Sequence, residues 1–350
     1  MKILVADPIS FIGHVNYNYG IYRALARDHD CKLITNEAMK SAMMKKGVPR
    51  ETFLAAYSDG YSLEALAKKH RNKAVYHLLY RKHLLDVYRM IDACAREFDA
   101  VVLTSVDVYS FALFSGRIQA GRYIVMDHAI GTLQVSRLYR EAWKRVGKKV
   151  KLIVFEDYIR EMALRWLPDC KVFRVPHPLA VQESALREAP PRDGVIRVFA
   201  PSASNDAAFV AELEKSDIPP NMAFRVKIGR ENDVVKPGLT EYHARVSEQE
   251  YLDAFAAADY IMIPYGPEYN YRYSGVLLEA VQMNKKVLLL GNNTLAVYKD
   301  VFPGHVFLFG SAAELMQTAA AHVDTPCGPC DLTGYKDPAI ADALAACLAG

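Results

Sequence analysis

Residues 261–290 read IMIPYGPEYNYRYSGVLLEAVQMNKKVLLL, and the order of residue types in this stretch decides the fold. Ile261-Met262-Ile263 is an apolar run that stops at Pro264, as a buried strand does. A polar, aromatic loop follows, up to Tyr273. Ser274 has the side chain of a helix N-cap, and Gly275 behind it lets a ligand approach the backbone closely. A helix over 274–283 and a buried strand over 286–290 complete the unit. Strand, loop, helix and strand in that order place the loop at the carboxyl end of a parallel sheet, where α/β proteins bind ligands. The first N–H groups of such a helix suit a diphosphate. Arg272 adds a planar, delocalised charge. Glu279, about one turn further along, offers a carboxylate to ribose hydroxyls. A solvated helix start can carry the same residue types, but cap, glycine, arginine and glutamate in this order between two strands favour a ligand site.

Working outward, the second half of the chain repeats this rhythm. Strands are predicted at 195–200, 223–228, 259–263, 286–290 and 305–309. Helices are predicted at 206–215, 248–257, 274–283, 294–299 and 311–322, with an Ala/Leu-rich helix at 338–349. In the first half, nearly continuous apolar runs at 2–6, 31–35, 100–104, 122–126 and 151–155 read as buried parallel strands. Helices are predicted between them at 17–28, across 62–98, at 107–119 and at 136–147. Tyr80, Leu84, Val87, Ile91, Cys94 and Phe98 form an amphipathic stripe in the long segment. The Pro/Gly-rich stretch 187–194 reads as a linker. The expectation is two Rossmann-like doubly wound α/β domains facing a cleft, one over 1–182 and one over 190–335, with a C-terminal helix over 336–350 packing back toward the first.

At residues 277–287 the chain resembles GT-B glycosyltransferases, in particular the family-4-like retaining enzymes. Their pattern has two glutamates eight positions apart, the second followed by Ala and a Gly-Lys/Arg-Pro-Val strand start. Leu277-Leu278-Glu279-Ala280 matches the second glutamate, and Asn284-Lys285-Lys286-Val287 matches the strand start. The first glutamate's position is Tyr271, a departure from the pattern. The resemblance implies that the domain over 1–182 binds the acceptor, that the domain over 190–335 binds the nucleotide-sugar, and that Glu279 contacts the nucleotide ribose. It implies transfer of a sugar from a UDP- or GDP-linked donor to a glycan or lipid-linked acceptor, as in bacterial surface-glycan synthesis. It also implies no cofactor, no metal ion, and retention of configuration.

Two further loops fit the donor site. Pro201–Asp206 follows a strand and carries Ser202, Ser204 and Asn205, while Lys227 and Arg230 close the strand at 223–228. The corresponding GT-B loops supply basic residues to the phosphates and contacts to the base. With Tyr271, Arg272, Ser274, Gly275 and Glu279 they make up the expected donor set. In the first half, the loop 10–20 contains Gly13, His14, Asn16 and Asn18, the expected acceptor residues. It lacks the G-x-G-x-x-G spacing of a dinucleotide site, which argues against a dehydrogenase. His128 ends a strand in front of Gly131 and looks like the strand-end histidine that bonds a donor-sugar hydroxyl. His14 is the general base if the enzyme inverts. The expected catalytic residues are His128, His14 and Arg272. A nucleotide-sugar 2-epimerase shares the two-domain shape, and a catalytically silent nucleotide-sugar-binding subunit fits the change at Tyr271.

The remaining features bound the answer. Asp28-His29-Asp30 imitates a metal-binding Asp-x-Asp but reads as a helix-to-strand turn. Cys327-Gly328-Pro329-Cys330 copies a redox motif without the strand and helix that its chemistry needs, and reads as a tight turn. The start of the chain reads as a strand rather than a signal peptide, and no apolar run reaches the roughly 20 residues of a membrane span. A cytoplasmic protein is the expectation. Net charge is +3, but it divides into +11 over residues 1–180 and −8 over 181–350, so the first half suits an anionic partner. Arg137, Arg140, Lys144, Arg145 and Lys148 lie on one face of the helix 136–147, with Leu138, Tyr139, Ala142, Trp143 and Val146 opposite. Lys68, Lys69, Arg71, Lys73, Arg81 and Lys82 form a second basic cluster. One reading is a solvated helix; the other is a Trp-anchored surface docking on anionic lipid at the inner face of the membrane. Nucleic acid is not expected, because no binding module is apparent.

Overall fold

The computed structural model describes residues 1–10, 14–59, 66, 69–70, 72–179, 193–228, 235–243 and 246–350. Gly13, Arg230, Lys68, Arg71 and the linker up to 192 lie outside the described residues. The chain divides into two compact units, Met1–Pro178 with Thr333–Gly350, and Leu179–Leu332.

The first unit holds strands β1 (Lys2–Ala6), β2 (Asp30–Asn36), β3 (Phe53–Tyr57), β4 (Ala100–Leu103), β5 (Tyr123–Met126), β6 (Val150–Val154) and β7 (Lys171–Arg174). Their order is β3-β2-β1-β4-β5-β6-β7 and every pairing is parallel. Every residue of β4, β5 and β6 is buried. This follows from helices on both faces, and it is why these strands are continuously apolar. The sheet order reverses direction between β1 and β4, which opens a crevice at their carboxyl ends.

The second unit repeats the plan with β8 (Ile196–Ala200), β9 (Met222–Lys227), β10 (Val235–Lys236), β11 (Leu239–Tyr242), β12 (Tyr260–Ile263), β13 (Lys286–Leu290) and β14 (Val306–Phe309). The order is β10-β11-β9-β8-β12-β13-β14, with β10 antiparallel to β11. Its reversal falls between β8 and β12. Asp206, Ser247, Ser274 and Ser311 each accept a backbone N–H at the start of a helix, so short polar caps set where the helices begin.

The C-terminal helix Asp337–Ala349 belongs to the first unit. Arg23 pairs with Asp337 at its start. At its end, Lys151 Nζ donates to the carbonyls of Cys347 and Leu348 at 2.8 and 2.9 Å, and Lys171 Nζ donates to that of Gly350 at 2.6 Å. Two lysines thus meet the negative end of the helix dipole and satisfy its last carbonyls.

Several sequence expectations need correction. Residues from Val15 onward are helix, not loop. Strands β3, β10 and β11 and the helices Glu37–Lys45 and Asp157–Trp166 were not expected. Residues 326–330 carry neither turn nor bend, so the tight turn expected at Cys327–Cys330 is not formed. Trp143 is fully buried and donates from Nε1 to Asp127 at 2.9 Å, so it cannot anchor a membrane surface.

Candidate functional site

In the second unit the carboxyl ends of β8, β9, β12 and β13 bring the expected donor residues together. The buried Tyr265 hydroxyl hydrogen-bonds with the side chains of Ser202 and Ser274, joining the loop after β8 to the helix Gly275–Gln282. Ser274 Oγ also accepts from Leu277 N at 3.3 Å, which caps that helix. Ser204 N donates to Ser202 Oγ at 3.1 Å, and Asn205 Nδ2 donates to the Lys227 carbonyl at 2.8 Å. Of the expected donor residues, Ser202 is thus tied to Ser204 directly and to Ser274 through Tyr265, and Asn205 is tied to Lys227.

The loop after β12 is held from the next strand. Asn293 Nδ2 donates to the Tyr265 carbonyl at 2.6 Å, Thr294 N donates to Asn270 Oδ1 at 2.9 Å, and Tyr271 N donates to Thr294 Oγ1 at 2.7 Å. These bonds keep Tyr271 at φ +55°, a left-handed conformation that a bulky residue rarely adopts. The Arg272 guanidinium stands 5.8 Å from the centre of the Tyr269 ring, and Tyr269 packs on Tyr265 at 4.2 Å. Glu279 accepts from the Tyr251 hydroxyl at 2.5 Å. Burial pushes its carboxyl up to about 7, with the Tyr251 bond opposing.

Gly275 begins the helix. Its φ is not positive, and a Cβ placed on it would meet nothing within 4 Å. No packing constraint calls for glycine here. A side chain at this position would therefore stand in open space, and the first N–H groups of the helix have no acceptor within it.

In the first unit the carboxyl ends of β1, β4, β5, β6 and β7 converge on a cluster of rings. The His14 and His128 rings stack at 4.5 Å, Tyr17 meets His128 edge-on at 4.8 Å, and Tyr17 also packs on His177 at 4.7 Å. Phe155 closes the group, 5.0 Å from His128. His128 Nε2 lies 3.0 Å from the Thr104 carbonyl. A carbonyl only accepts, so Nε2 carries the proton and Nδ1 keeps its lone pair. Burial lowers the basicity of His14, and more strongly that of His128; His177 is pushed down to about 3.

Beneath this cluster lies Asp7, one residue past β1 and buried. It accepts from Ser10 N at 2.7 Å, Asn18 Nδ2 at 2.5 Å and the Ser105 hydroxyl. Asn18 is 3% exposed and belongs to this scaffold, which corrects its expected place among the acceptor contacts. Asn16 is half-buried in the first turn of the helix Val15–Ala26. Asp127 supports the next residue, His128, by accepting from the Ala129 amide, Tyr139 and Trp143. Burial pushes its carboxyl up to about 6. Gly20 lets the strap at 177–178 cross the helix, since a Cβ there would fall 2.4 Å from Pro178 Cβ.

Sequence reasoning missed Asp7, Tyr17, Ser105, Phe155 and His177. All but Tyr17 lie one to three residues past a strand end, so reading every carboxyl end of one parallel sheet would have collected them. Among the described residues no group of three His, Cys, Asp or Glu side chains could hold a metal ion.

No protein-family model and no curated protein sequence matches the chain. Solved structures do. HepE from Anabaena in complex with UDP and glucose is similar over 99% of this chain and 94% of that one, with a TM-score of 0.62 at 12% identity. The glycotransferase of kitacinnamycin matches over 99% and 94%, with a TM-score of 0.56 at 12% identity. A putative UDP-N-acetylglucosamine 2-epimerase from Listeria monocytogenes matches over 99% and 95%, with a TM-score of 0.60 at 10% identity. These likenesses establish the fold: two Rossmann-like α/β units of the GT-B type.

Proposed function

We propose that the protein is a glycosyltransferase that moves a sugar from a nucleoside-diphosphate donor, most simply UDP-linked, to a hydroxyl of a glycan or lipid-linked acceptor. The observation that carries the reading is the open space at Gly275, at the start of a helix that Ser274 caps, with Arg272 three residues before that glycine and Glu279 four residues after it. The N–H groups of that helix and Arg272 suit a diphosphate, and Glu279 suits a ribose. HepE, of the same fold, binds UDP and glucose.

In this reaction the bond between the anomeric carbon and the phosphate oxygen breaks, and a bond from that carbon to the acceptor oxygen forms. The departing diphosphate gains charge, which Arg272, the start of the helix Gly275–Gln282 and Lys227 stabilise without a metal ion. The acceptor's proton must leave. A neutral His14 is in the form that takes it in an inverting reaction. With retention, as the resemblance implies, the proton passes to the leaving phosphate and His128 contacts the donor sugar.

A first test is a thermal-shift screen of the full chain against UDP, GDP, ADP, CMP and dTDP. The matching nucleotide at 100 times its dissociation constant stabilises by about 2.7 kcal/mol. Replacing Arg272 or Glu279 by Ala should weaken that nucleotide by about 1.5–3 kcal/mol. Unchanged affinity in both variants sinks the site.

A second reading, nucleotide-sugar 2-epimerase, is favoured by the Listeria likeness. It predicts conversion of the donor with no acceptor present. A transferase shows acceptor-dependent release of nucleoside diphosphate.

The lipid-linked acceptor draws on the basic first half. Of the basic helix Arg137–Gly147 and its flank, Arg145 Nε and Lys149 Nζ donate to Ser115, Lys148 pairs with Asp169, and Arg140 bonds Leu133 and stacks on Trp166. The better face is the start of the helix Lys73–Ala95. Leu78 is 70% exposed there, beside the exposed Val75, Lys73, Arg81 and Lys82. An apolar tip within a basic collar suits anionic lipid at the inner face of a membrane. No described helix is long and apolar enough to cross one.

A further inference from the structure

The carboxylate of Glu279 is held from outside the expected donor set, by a residue of the helix Glu248–Ala257. Tyr251, in the first turn of that helix, donates its hydroxyl to Glu279 Oε2 at 2.5 Å. Among the described residues Oε1 accepts no hydrogen bond, and the side chain is half-buried rather than enclosed. One oxygen is fixed by the protein and the other is left for a ligand. Glu279 follows Gly275 by four residues, so the two stand on one face of the helix Gly275–Gln282.

The tyrosine is itself set in place. Ser247 and Glu250 form a reciprocal capping box that fixes where its helix begins. The Tyr251 ring centre lies 5.1 Å from that of the fully buried Phe255 and 6.2 Å from that of Phe199, which it meets edge-on. Phe199 belongs to β8 and Phe255 to the same helix as Tyr251. The phenol oxygen lies on the axis about which the ring turns, so this packing alone decides where it sits.

A buried phenol needs an acceptor, and a backbone carbonyl would satisfy it. A carboxylate as the acceptor adds a second effect, because the bond is stronger to the ionised acid and favours that form. Burial works the other way and pushes the Glu279 carboxyl up to about 7. Tyr265, after β12, and Tyr242, at the end of β11, are within electrostatic reach of Tyr251. Burial raises both of these phenols, so they are neutral at pH 7. Among these groups the Tyr251 hydroxyl alone favours the carboxylate.

We propose that Tyr251 is a positioning residue of the donor site, whose hydroxyl orients the Glu279 carboxylate so that Oε1 accepts from a ribose hydroxyl. The proposal rests on the reading of this site as a nucleotide site. Tyr251 acts through Glu279: it holds one oxygen and keeps the group charged near neutral pH.

The test compares the full chain with Tyr251→Phe, which keeps the ring and removes the hydroxyl. Carbon-13 NMR of labelled glutamate carboxyls follows the titration without a ligand, the Glu279 signal being the one lost in Glu279→Gln. In Tyr251→Phe the Glu279 midpoint should rise by about one pH unit. The nucleotide is the one that the thermal-shift screen selects from UDP, GDP, ADP, CMP and dTDP. Its affinity at pH 7, by calorimetry, should fall about fivefold or more, the loss of ionised carboxylate that one unit produces. Phe255→Leu is the packing control: it should lower the melting temperature and leave the midpoint in place. An unchanged midpoint in Tyr251→Phe, or a raised midpoint with unchanged nucleotide affinity, would overturn the proposal. Failure of the underlying reading is distinct: the unaltered protein then binds none of the five nucleotides, and the proposal falls with it.

Discussion

The imidazole rings of His14 and His128 stack with their centres 4.5 Å apart and their planes 26° from parallel. Two imidazolium rings at that distance would repel, and burial penalises each charge further. Both histidines are lowered from their ordinary range, so both are neutral at pH 7. For a base, that is the working form. The acid limb of the kcat profile should therefore fall below pH 6.5. His128→Ala should reduce kcat/KM at least about tenfold while leaving nucleoside-diphosphate affinity intact. If activity survives in His128→Ala and fails in His14→Ala, the burden lies on His14.

Gly275 separates a ligand requirement from a folding one. With open space before it and no left-handed φ, Gly275→Ala should leave the melting temperature unchanged or raise it, by up to about 1 kcal/mol of stability. The added methyl group would occupy the space that the proposed function assigns to the diphosphate, so nucleotide affinity should fall about tenfold or more. Calorimetry on the two proteins decides. A variant that binds as well as the parent shows that the ligand lies elsewhere.

In the proposed donor site, Glu279 should make nucleotide binding depend on pH. As a carboxylate it accepts hydrogen bonds from two hydroxyls; as an acid it loses that capacity, and its titration lies at about 7. Donor affinity should fall as pH is lowered from 8 to 6, whereas Glu279→Gln should bind weakly and without this dependence. Stability runs the other way. Between the ordinary value of 4.5 and about 7 the folded chain holds a proton that the unfolded chain has lost. This contribution is fully present below the ordinary value and disappears as pH rises through 7. Glu279→Gln should gain on the parent between pH 5 and pH 8, by up to about 3 kcal/mol, in urea titrations at the two pH values.

Tyr271 stands where the resembling enzymes carry a glutamate, and its backbone is left-handed. Strain of this kind costs about 1 kcal/mol or more and marks a side chain held for a purpose. Tyr271→Gly should raise stability by about 1 kcal/mol and lower donor turnover. Gain in both, read by melting and by nucleotide release, would make the strain incidental.

For the lipid surface, vesicle co-sedimentation should require anionic lipid, weaken with salt, and be lost on neutralising Lys73, Arg81 and Lys82. Neutralising Lys144, Arg145, Lys148 and Lys149 should matter less, because Ser115, Asp169 and Glu141 already engage them. Indifference to lipid charge points to a soluble acceptor.

The sequence by itself determined the repeated βα plan, because central parallel strands are buried on both faces and so appear as continuous apolar runs. It also determined the loop and capped helix start between β12 and β13, because cap, glycine, arginine and glutamate act through local backbone geometry and lie within eight residues of one another. The edge strands β3 and β10 were not legible, since a short, partly exposed strand carries no such run. Tertiary structure alone decided the rest. Asp7, Ser105, His128 and His177 are far apart in the chain and meet only because parallel strands present their carboxyl ends along one edge. Trp143 looks like a surface anchor in a helical pattern and becomes core once Asp127 receives its N–H. The Cys327–Cys330 segment, which copies a redox motif, lies at Gly328 against Pro303, Gly304 and His305. Local patterns encode what a segment's own backbone and burial demand; which distant side chains share a site depends on strand order, which no local pattern contains.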